Sequence, residues 1–259
     1  MDYLHKYDKN PYEDAYWNIP ERKQGIIGII GGNSQSFRSS SVVAEYITQK
    51  YPVESTRVIL PDALKTKLPP IDNVVFLSST DTGSFADADE IAQAINATDS
   101  SIVIGDLSRN SITEKAIMSA GISSDKPLLF TRDAVDVIAT GGLERLLMNP
   151  EVIIMGSLVQ IQKVFRAVYY PKVILLSQSL VQITEALHKF TLSYPASIIT
   201  LHNNQIIVAK NGEVAVVPLE KSGYTPISIW NGELAAKIIA INLYNPNNFI
   251  KATVAAIYN

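Results

Sequence analysis

The stretch SIWNGELAAKIIAINL, residues 228–243, has the pattern of a buried helix with an unusual first turn. From Leu234 onward it is rich in alanine and isoleucine on all sides, which is typical of a helix that is buried in a core. The first turn contains Gly232 and Glu233, next to Trp230. Because the first N–H groups of a helix have no partner within it, such a turn can bind an anion. Glu233 is therefore either a helix cap or a catalytic base, and the turn alone does not decide between them.

The chain before this helix alternates short β-branched runs with amphipathic segments. The apolar runs predict strands at 25–32, 55–60, 73–77, 100–105, 126–131, 151–156 and 172–177. The periodic segments predict helices at 39–51, 84–97, 111–121, 158–168 and 178–192. Continuous apolar strands joined by helices are typical of a parallel sheet that is covered on both faces.

The pattern changes in residues 196–218, where three apolar runs are separated by His-Asn-Asn and Lys-Asn-Gly. Asn-Gly between two apolar runs is a strong hairpin signal. We therefore expect an α/β protein with three αβα layers, a mostly parallel central sheet and an antiparallel C-terminal hairpin. We predict one domain over residues 1–259, with residues 1–24 as an N-terminal extension. In such sheets, ligands bind at the carboxyl ends of the strands.

Composition excludes several classes of function. The chain has 259 residues, is 47% hydrophobic and carries a net charge of −3, which is not the basic surface of a nucleic-acid-binding protein. It has no cysteine and only three histidines, so we expect neither disulfides nor a metal site built by the protein. No apolar run reaches the roughly 18 residues of a membrane span, and the N-terminus lacks the apolar region of a signal peptide. We expect a cytoplasmic protein that has no membrane or nucleic-acid partner.

Several strings, in this order along the chain, resemble one known family. They are IIGGNSQSF (29–37), LPPIDNVVFLSSTDTGSFADADEIAQAI (68–95), ATDSSIVIGDLSRNSITEKAI (97–117), KPLLFTRDAVDVI (126–138), SIITLHNNQIIVAKNGEVAVVP (197–218) and IWNGELAAKIIAINL (229–243). Together they are similar to the ribokinase-like superfamily, and within it to the ADP/ATP-dependent NAD(P)H-hydrate dehydratases, which have the YjeF C-terminal-type carbohydrate-kinase fold.

This resemblance implies repair of hydrated NADH or NADPH by elimination of water, driven by ATP or ADP, with Mg²⁺ as an optional companion of the nucleotide. Glu233 falls on the family's catalytic Asp and would act as the base. The residues that the resemblance places at the nucleotide are Trp230, Asn231, Gly232, His202 and Asn203. Those that it places at the substrate are Gly32, Asn33, Gly105 and Asp133. Members of the family are commonly oligomeric, so the resemblance also implies a homo-oligomer.

The sequence departs from the family pattern at the functional positions. Glu233 is one methylene longer than Asp, and Ile229, Trp230 and Asn231 replace the family's Gly-Gly-Thr. The family's His and acid of a Pro-His-Pro-Gly-Glu motif fall on Ser157 and Gln160. Three hypotheses stay open: a divergent dehydratase with Glu233 as base, a degenerate paralogue that acts as a binding or structural protein, and a small-molecule kinase.

Overall fold

A ten-stranded sheet runs through the protein, whose computed structural model describes residues 2–11, 19–68 and 72–258. In chain order the strands are β1 (Leu4–Lys6), β2 (Ile26–Gly31), β3 (Ser55–Pro61), β4 (Val74–Leu77), β5 (Ser100–Gly105), β6 (Leu128–Thr131), β7 (Val152–Met155), β8 (Ser197–His202), β9 (Gln205–Lys210) and β10 (Glu213–Pro218). Their order across the sheet is β1-β10-β9-β8-β7-β6-β5-β2-β3-β4.

The strands from β2 to β8 are all parallel, and β9 alone runs against its neighbours β8 and β10. The turn between β9 and β10 is formed by Asn211 and Gly212, which both have positive φ, as a tight hairpin of this type requires. Asn203 and Asn204 form the same kind of turn between β8 and β9. The predicted parallel sheet with an antiparallel C-terminal hairpin is thus confirmed.

Helices cover both faces of the sheet. They are α1 (Arg38–Lys50), α2 (Ala88–Asn96), α3 (Ser111–Ser123), α4 (Asp133–Ile138), α5 (Leu143–Leu147), α6 (Leu158–Ala167), α7 (Leu180–Ser193), α8 (Glu233–Tyr244) and α9 (Phe249–Tyr258). Helices α1, α8 and α9 share one buried apolar cluster with one face of the sheet. Helices α2 to α7 share a second cluster with the other face, which gives the three predicted layers.

The predicted strand at 172–177 is wrong. This run is a loop that leads into α7, with Ile174 buried and Val173 and Leu176 exposed. The place beside β7 that it would have taken belongs to β8. A short apolar run does not reveal by itself whether it pairs in a sheet, and here the capping box of Ser179 and Gln182 starts a helix only two residues later.

The predicted N-terminal extension, residues 1–24, contributes β1 to the edge of the sheet. β1 pairs in parallel with β10, from Leu4 opposite Val214 to Lys6 opposite Val216. Residues 1 and 12–18 of the extension lie outside the described residues.

Candidate functional site at the carboxyl edge of the sheet

The loops after β2 and β5 meet at the carboxyl edge of the sheet, where the sequence places the substrate. The N–H of Gly32 donates to the carbonyl of Gly105 at 3.0 Å. The side-chain amide of Asn33 donates to the carbonyl of Asp106 at 2.7 Å. The structure therefore brings together three predicted substrate residues, and hydrogen bonds within the chain hold their backbone and amide groups.

The carboxylate of Asp133 is held by the backbone of the same loop. Oδ1 accepts the N–H of Asp106 at 3.0 Å, and Oδ2 accepts the N–H of Leu107 at 3.2 Å. Gly105 has a φ of +105°, and a Cβ at this position would lie 1.9 Å from Oδ1 of Asp133. Successive N–H groups in such a turn form a concave anion site. The Asp133 side chain fills this site from within the protein.

The loop after β5 also carries a carboxylate of its own, which faces the start of α1. Asp106, at a positive φ of 57°, accepts the N–H of Ser39 through Oδ2 at 3.4 Å. Its position near the first turn of a helix is electrostatically favourable, because the N-terminus carries partial positive charge. Two carboxylates, Asp106 of the loop and Asp133 of α4, therefore lie where a phosphate would need positive groups.

The first turn of α8 is closed by its own residues. Gly232 has a φ of +101°, and the N–H of Glu233 donates to Oδ1 of Asn231 at 2.9 Å. The next two residues, Leu234 and Ala235, are fully buried, so their N–H groups have no exposed surface. The predicted nucleotide residues Asn231 and Gly232 therefore adjoin a helix start that the chain itself encloses.

Glu233 turns its carboxylate towards α1 and the outside of α8. Oε1 lies 3.7 Å from the ammonium of Lys237, one helical turn further on. Tyr46 of α1 lies on the other side, and burial together with the nearby Glu233 carboxylate raises the pKa of its phenol. Among the described residues, the polar partners of Glu233 do not include Gly32, Asn33, Gly105 or Asp133. The structure does not join the predicted base to the predicted substrate residues.

Trp230 ends a short 3₁₀ turn over residues 228–230. It is half-buried and packs against the apolar cluster that lies between the sheet and helices α1, α8 and α9. Its ring contributes to packing beside the start of α8.

The predicted nucleotide residues at the end of β8 have different surroundings. His202 is 5% exposed, and its Nε2 donates to the carbonyl of Gln178 at 2.7 Å, which fixes the ring against the segment before α7. Asn203 is exposed in the β8–β9 turn. The His202 ring is therefore held by a structural hydrogen bond.

Sequence reasoning missed a polar cluster that joins α4 to α6. Asp136 accepts hydrogen bonds from Lys163 and from the amide of Gln160, and this amide also donates to the carbonyl of Arg132 at 2.7 Å. Burial alone would raise the pKa of the Asp136 carboxyl, but the bonds from Lys163 and Gln160 outweigh it and lower that pKa. The three-residue spacing of Gln160 and Lys163, which puts both on one face of a helix, is the signal that could have revealed the cluster.

The described part of the chain contains no group of three or more His, Cys, Asp or Glu side chains that could hold a metal ion. Within the same residues, no helix is long and apolar enough to cross a membrane.

No family model matches the sequence, and no curated protein matches it. Solved structures do match. A ribokinase-like superfamily protein from Enterococcus faecalis is similar at a TM-score of 0.68 and 12% identity, over 100% of this chain and 86% of that one. The chain described here therefore has a ribokinase-like fold.

Two further neighbours come from Bacillus subtilis. The ADP/ATP-dependent NAD(P)H-hydrate dehydratase, co-crystallised with ATP and Mg²⁺, is similar at a TM-score of 0.60 and 13% identity, over 93% of this chain and 82% of that one. Pyridoxal kinase, in an ADP complex, is similar at a TM-score of 0.51 and 12% identity, over 90% of this chain and 89% of that one. The structural similarity establishes the ribokinase-like fold, whereas sequence identities this low do not assign an activity.

Proposed function

We propose that this protein is a catalytically degenerate paralogue of the nucleotide-dependent enzymes with a ribokinase-like fold, and that it acts by binding. The observation that carries this proposal is the Asp133 carboxylate, which accepts the N–H groups of Asp106 and Leu107. A backbone site that could hold a phosphate oxygen is already filled by an anion of the chain.

Electrostatics and access support the same conclusion. A phosphate at this loop would have to displace Asp133 and would face the carboxylate of Asp106 as well, and like charges at short range repel strongly. At the start of α8, the N–H groups of Leu234 and Ala235 are buried. A nucleotide bound as the resemblance implies would bring negative charge to both places.

The test is thermal unfolding with ATP or ADP, each with and without Mg²⁺. A ligand at about 100 times its Kd stabilises a protein by roughly 2.7 kcal/mol, so binding would raise Tm measurably. We expect no shift at millimolar nucleotide. A saturable shift in the wild-type protein would contradict the proposal.

A charge-neutral variant sharpens this test. Asp133→Ala removes the internal anion and leaves the two N–H groups open, so inorganic phosphate should then raise Tm in the variant while the wild type does not respond. Asp87→Ala is the matched control, because Asp87 also accepts two backbone N–H groups, at the start of α2 on the opposite face from α8. It should give no phosphate response.

The second candidate is a divergent ATP- or ADP-dependent NAD(P)H-hydrate dehydratase with Glu233 as base. It is favoured by one observation: the Glu233 carboxylate lines a cavity of about 440 Å³. The assay is loss of hydrated NADH or NADPH in the presence of ATP or ADP. Turnover that Glu233→Gln abolishes would establish this candidate in place of the degenerate one.

ATP-dependent phosphorylation of a small alcohol would instead establish the kinase hypothesis.

A further inference from the structure

The groove between α1 and α8 contains a cavity of about 440 Å³. Its lining includes Tyr46, Lys50, Tyr51, Glu233, Lys237 and Ile241. Cavities that hold small molecules in proteins typically measure about 300–1,000 Å³ and combine apolar walls with a few polar groups. This cavity has that size, and its lining is mixed, with three charged side chains beside aromatic and apolar ones.

Lys237 is the unusual member of the lining. It is only 7% exposed, in a helix whose neighbouring residues are apolar. Its ammonium lies 3.7 Å from Oε1 of Glu233 and 5.0 Å from the centre of the Tyr224 ring. Burial lowers the pKa of Lys237, Glu233 opposes this, and the charge of Lys50 adds to the lowering. A buried ammonium is costly unless it is fully paired, and these partners pair it only loosely.

The charges that line the cavity do not balance. Lys50 and Lys237 bring two positive charges, and Glu233 brings one negative charge that also interacts with the Tyr46 phenol. The three charged side chains together leave the cavity with a net charge of one positive unit. A ligand with a single negative charge neutralises it, whereas a dianionic phosphate would bring excess negative charge beside Glu233.

The remaining walls are flat or apolar. The Tyr46 and Tyr51 rings lie 6.5 Å apart at an angle of 57°, and Ile241 lines the cavity from α8. We propose that this cavity binds a small organic monocarboxylate, whose carboxylate contacts Lys237 and Lys50 and whose apolar body lies against Tyr46 and Tyr51. The cavity shares no lining residue with the Asp133 loop.

The experiment is calorimetric titration of the protein with phenylacetate and with hexanoate. Phenylacetamide, which has the shape of phenylacetate without its charge, is the matched probe, and inorganic phosphate tests the anion class. We expect a Kd of about 1 mM or below for at least one carboxylate, and binding of the amide at least about tenfold weaker. Failure of both carboxylates to bind, equal binding of the amide, or tighter binding of inorganic phosphate would each overturn the proposal.

Three variants locate the site. Lys237→Met keeps the length of the side chain and should abolish carboxylate binding. Lys50→Met removes the exposed cation and should weaken binding about tenfold. Because Lys50 is not part of the core, this variant should fold like the wild type. Lys115→Met alters an exposed lysine of α3, on the opposite face of the sheet, and should bind like the wild type. Unchanged binding in both Lys237→Met and Lys50→Met would overturn the assignment of the site.

Discussion

The carboxylate of Asp133 lies 3.0 Å from the backbone nitrogen of Asp106, so a side chain of the chain occupies the turn after β5. In a parallel sheet, this turn is at the edge where ligands bind. The protein thus uses at least one potential anion site to join β5 to α4. Removing this contact should lower the free energy of unfolding.

We expect Asp133→Ala to lower the free energy of unfolding by about 1–3 kcal/mol, because two N–H groups lose their acceptor. Urea unfolding measures the change. Asp87 is an exposed helix cap that also accepts two N–H groups. The control variant Asp87→Ala should lower the free energy of unfolding by about 1 kcal/mol. A stability of Asp133→Ala equal to that of the wild type would show that the turn does not depend on the carboxylate.

Gly232→Ala should destabilise the protein for two separable reasons. The residue has a φ of +101°, and its added Cβ would lie 2.8 Å from Cγ2 of Val43. The left-handed backbone costs an alanine about 1–2 kcal/mol, and overpacking a core adds about 1–3 kcal/mol. Gly223→Ala is the matched control, since Gly223 has a φ of +74° and no heavy atom within 4 Å of an added Cβ. If Gly232→Ala and Gly223→Ala lowered the free energy of unfolding equally, the Val43 side chain would move to admit the added Cβ at no cost.

The Asp136 cluster predicts a dependence of stability on acid. The pKa of Asp136 is lowered in the folded protein, with burial acting against the hydrogen bonds from Lys163 and Gln160. The unfolded chain, with an Asp pKa of about 3.9, then binds more protons, so the stabilisation is present above that pH and is lost as the pH falls through the folded pKa. Asp136→Asn should be less stable than the wild type at pH 7, and the difference should shrink below about pH 4.

Urea unfolding at a series of pH values measures this difference. Asp125→Asn, which alters an exposed residue beyond the end of α3, should follow the wild-type profile. A constant difference between Asp136→Asn and the wild type from pH 3 to pH 7, a span of about 4 pH units, would contradict the predicted linkage.

Much of the fold could be predicted because its signals are local. β5 is an unbroken buried run, and Asn211 with Gly212 has the turn chemistry of a hairpin, so sequence alone indicates both. The run 172–177 has similar apolar character but ends as a loop, because β8 pairs with β7 instead. Pairing in the sheet depends on competition between distant segments, which no short pattern contains.

The candidate site was less predictable for the same reason. The position of Glu233 at the start of a helix follows from the local sequence, but the direction of its carboxylate depends on Tyr46, which is distant in the chain. The contact between Asp133 and the turn at Asp106 likewise joins residues 27 positions apart. Side-chain partners of this kind are known only once the loops are folded together.

His202 supplies the last prediction, because its proposed contact with a nucleotide and its observed structural bond lead to different results. His202→Ala leaves the Gln178 carbonyl without its donor and empties the space of a ring that is 5% exposed, so it should cost about 2–4 kcal/mol in urea unfolding. His5→Ala alters an exposed histidine and should stay within about 0.5 kcal/mol of the wild type. A His202→Ala protein that kept wild-type stability but changed its thermal response to ATP or ADP would instead assign His202 to ligand binding.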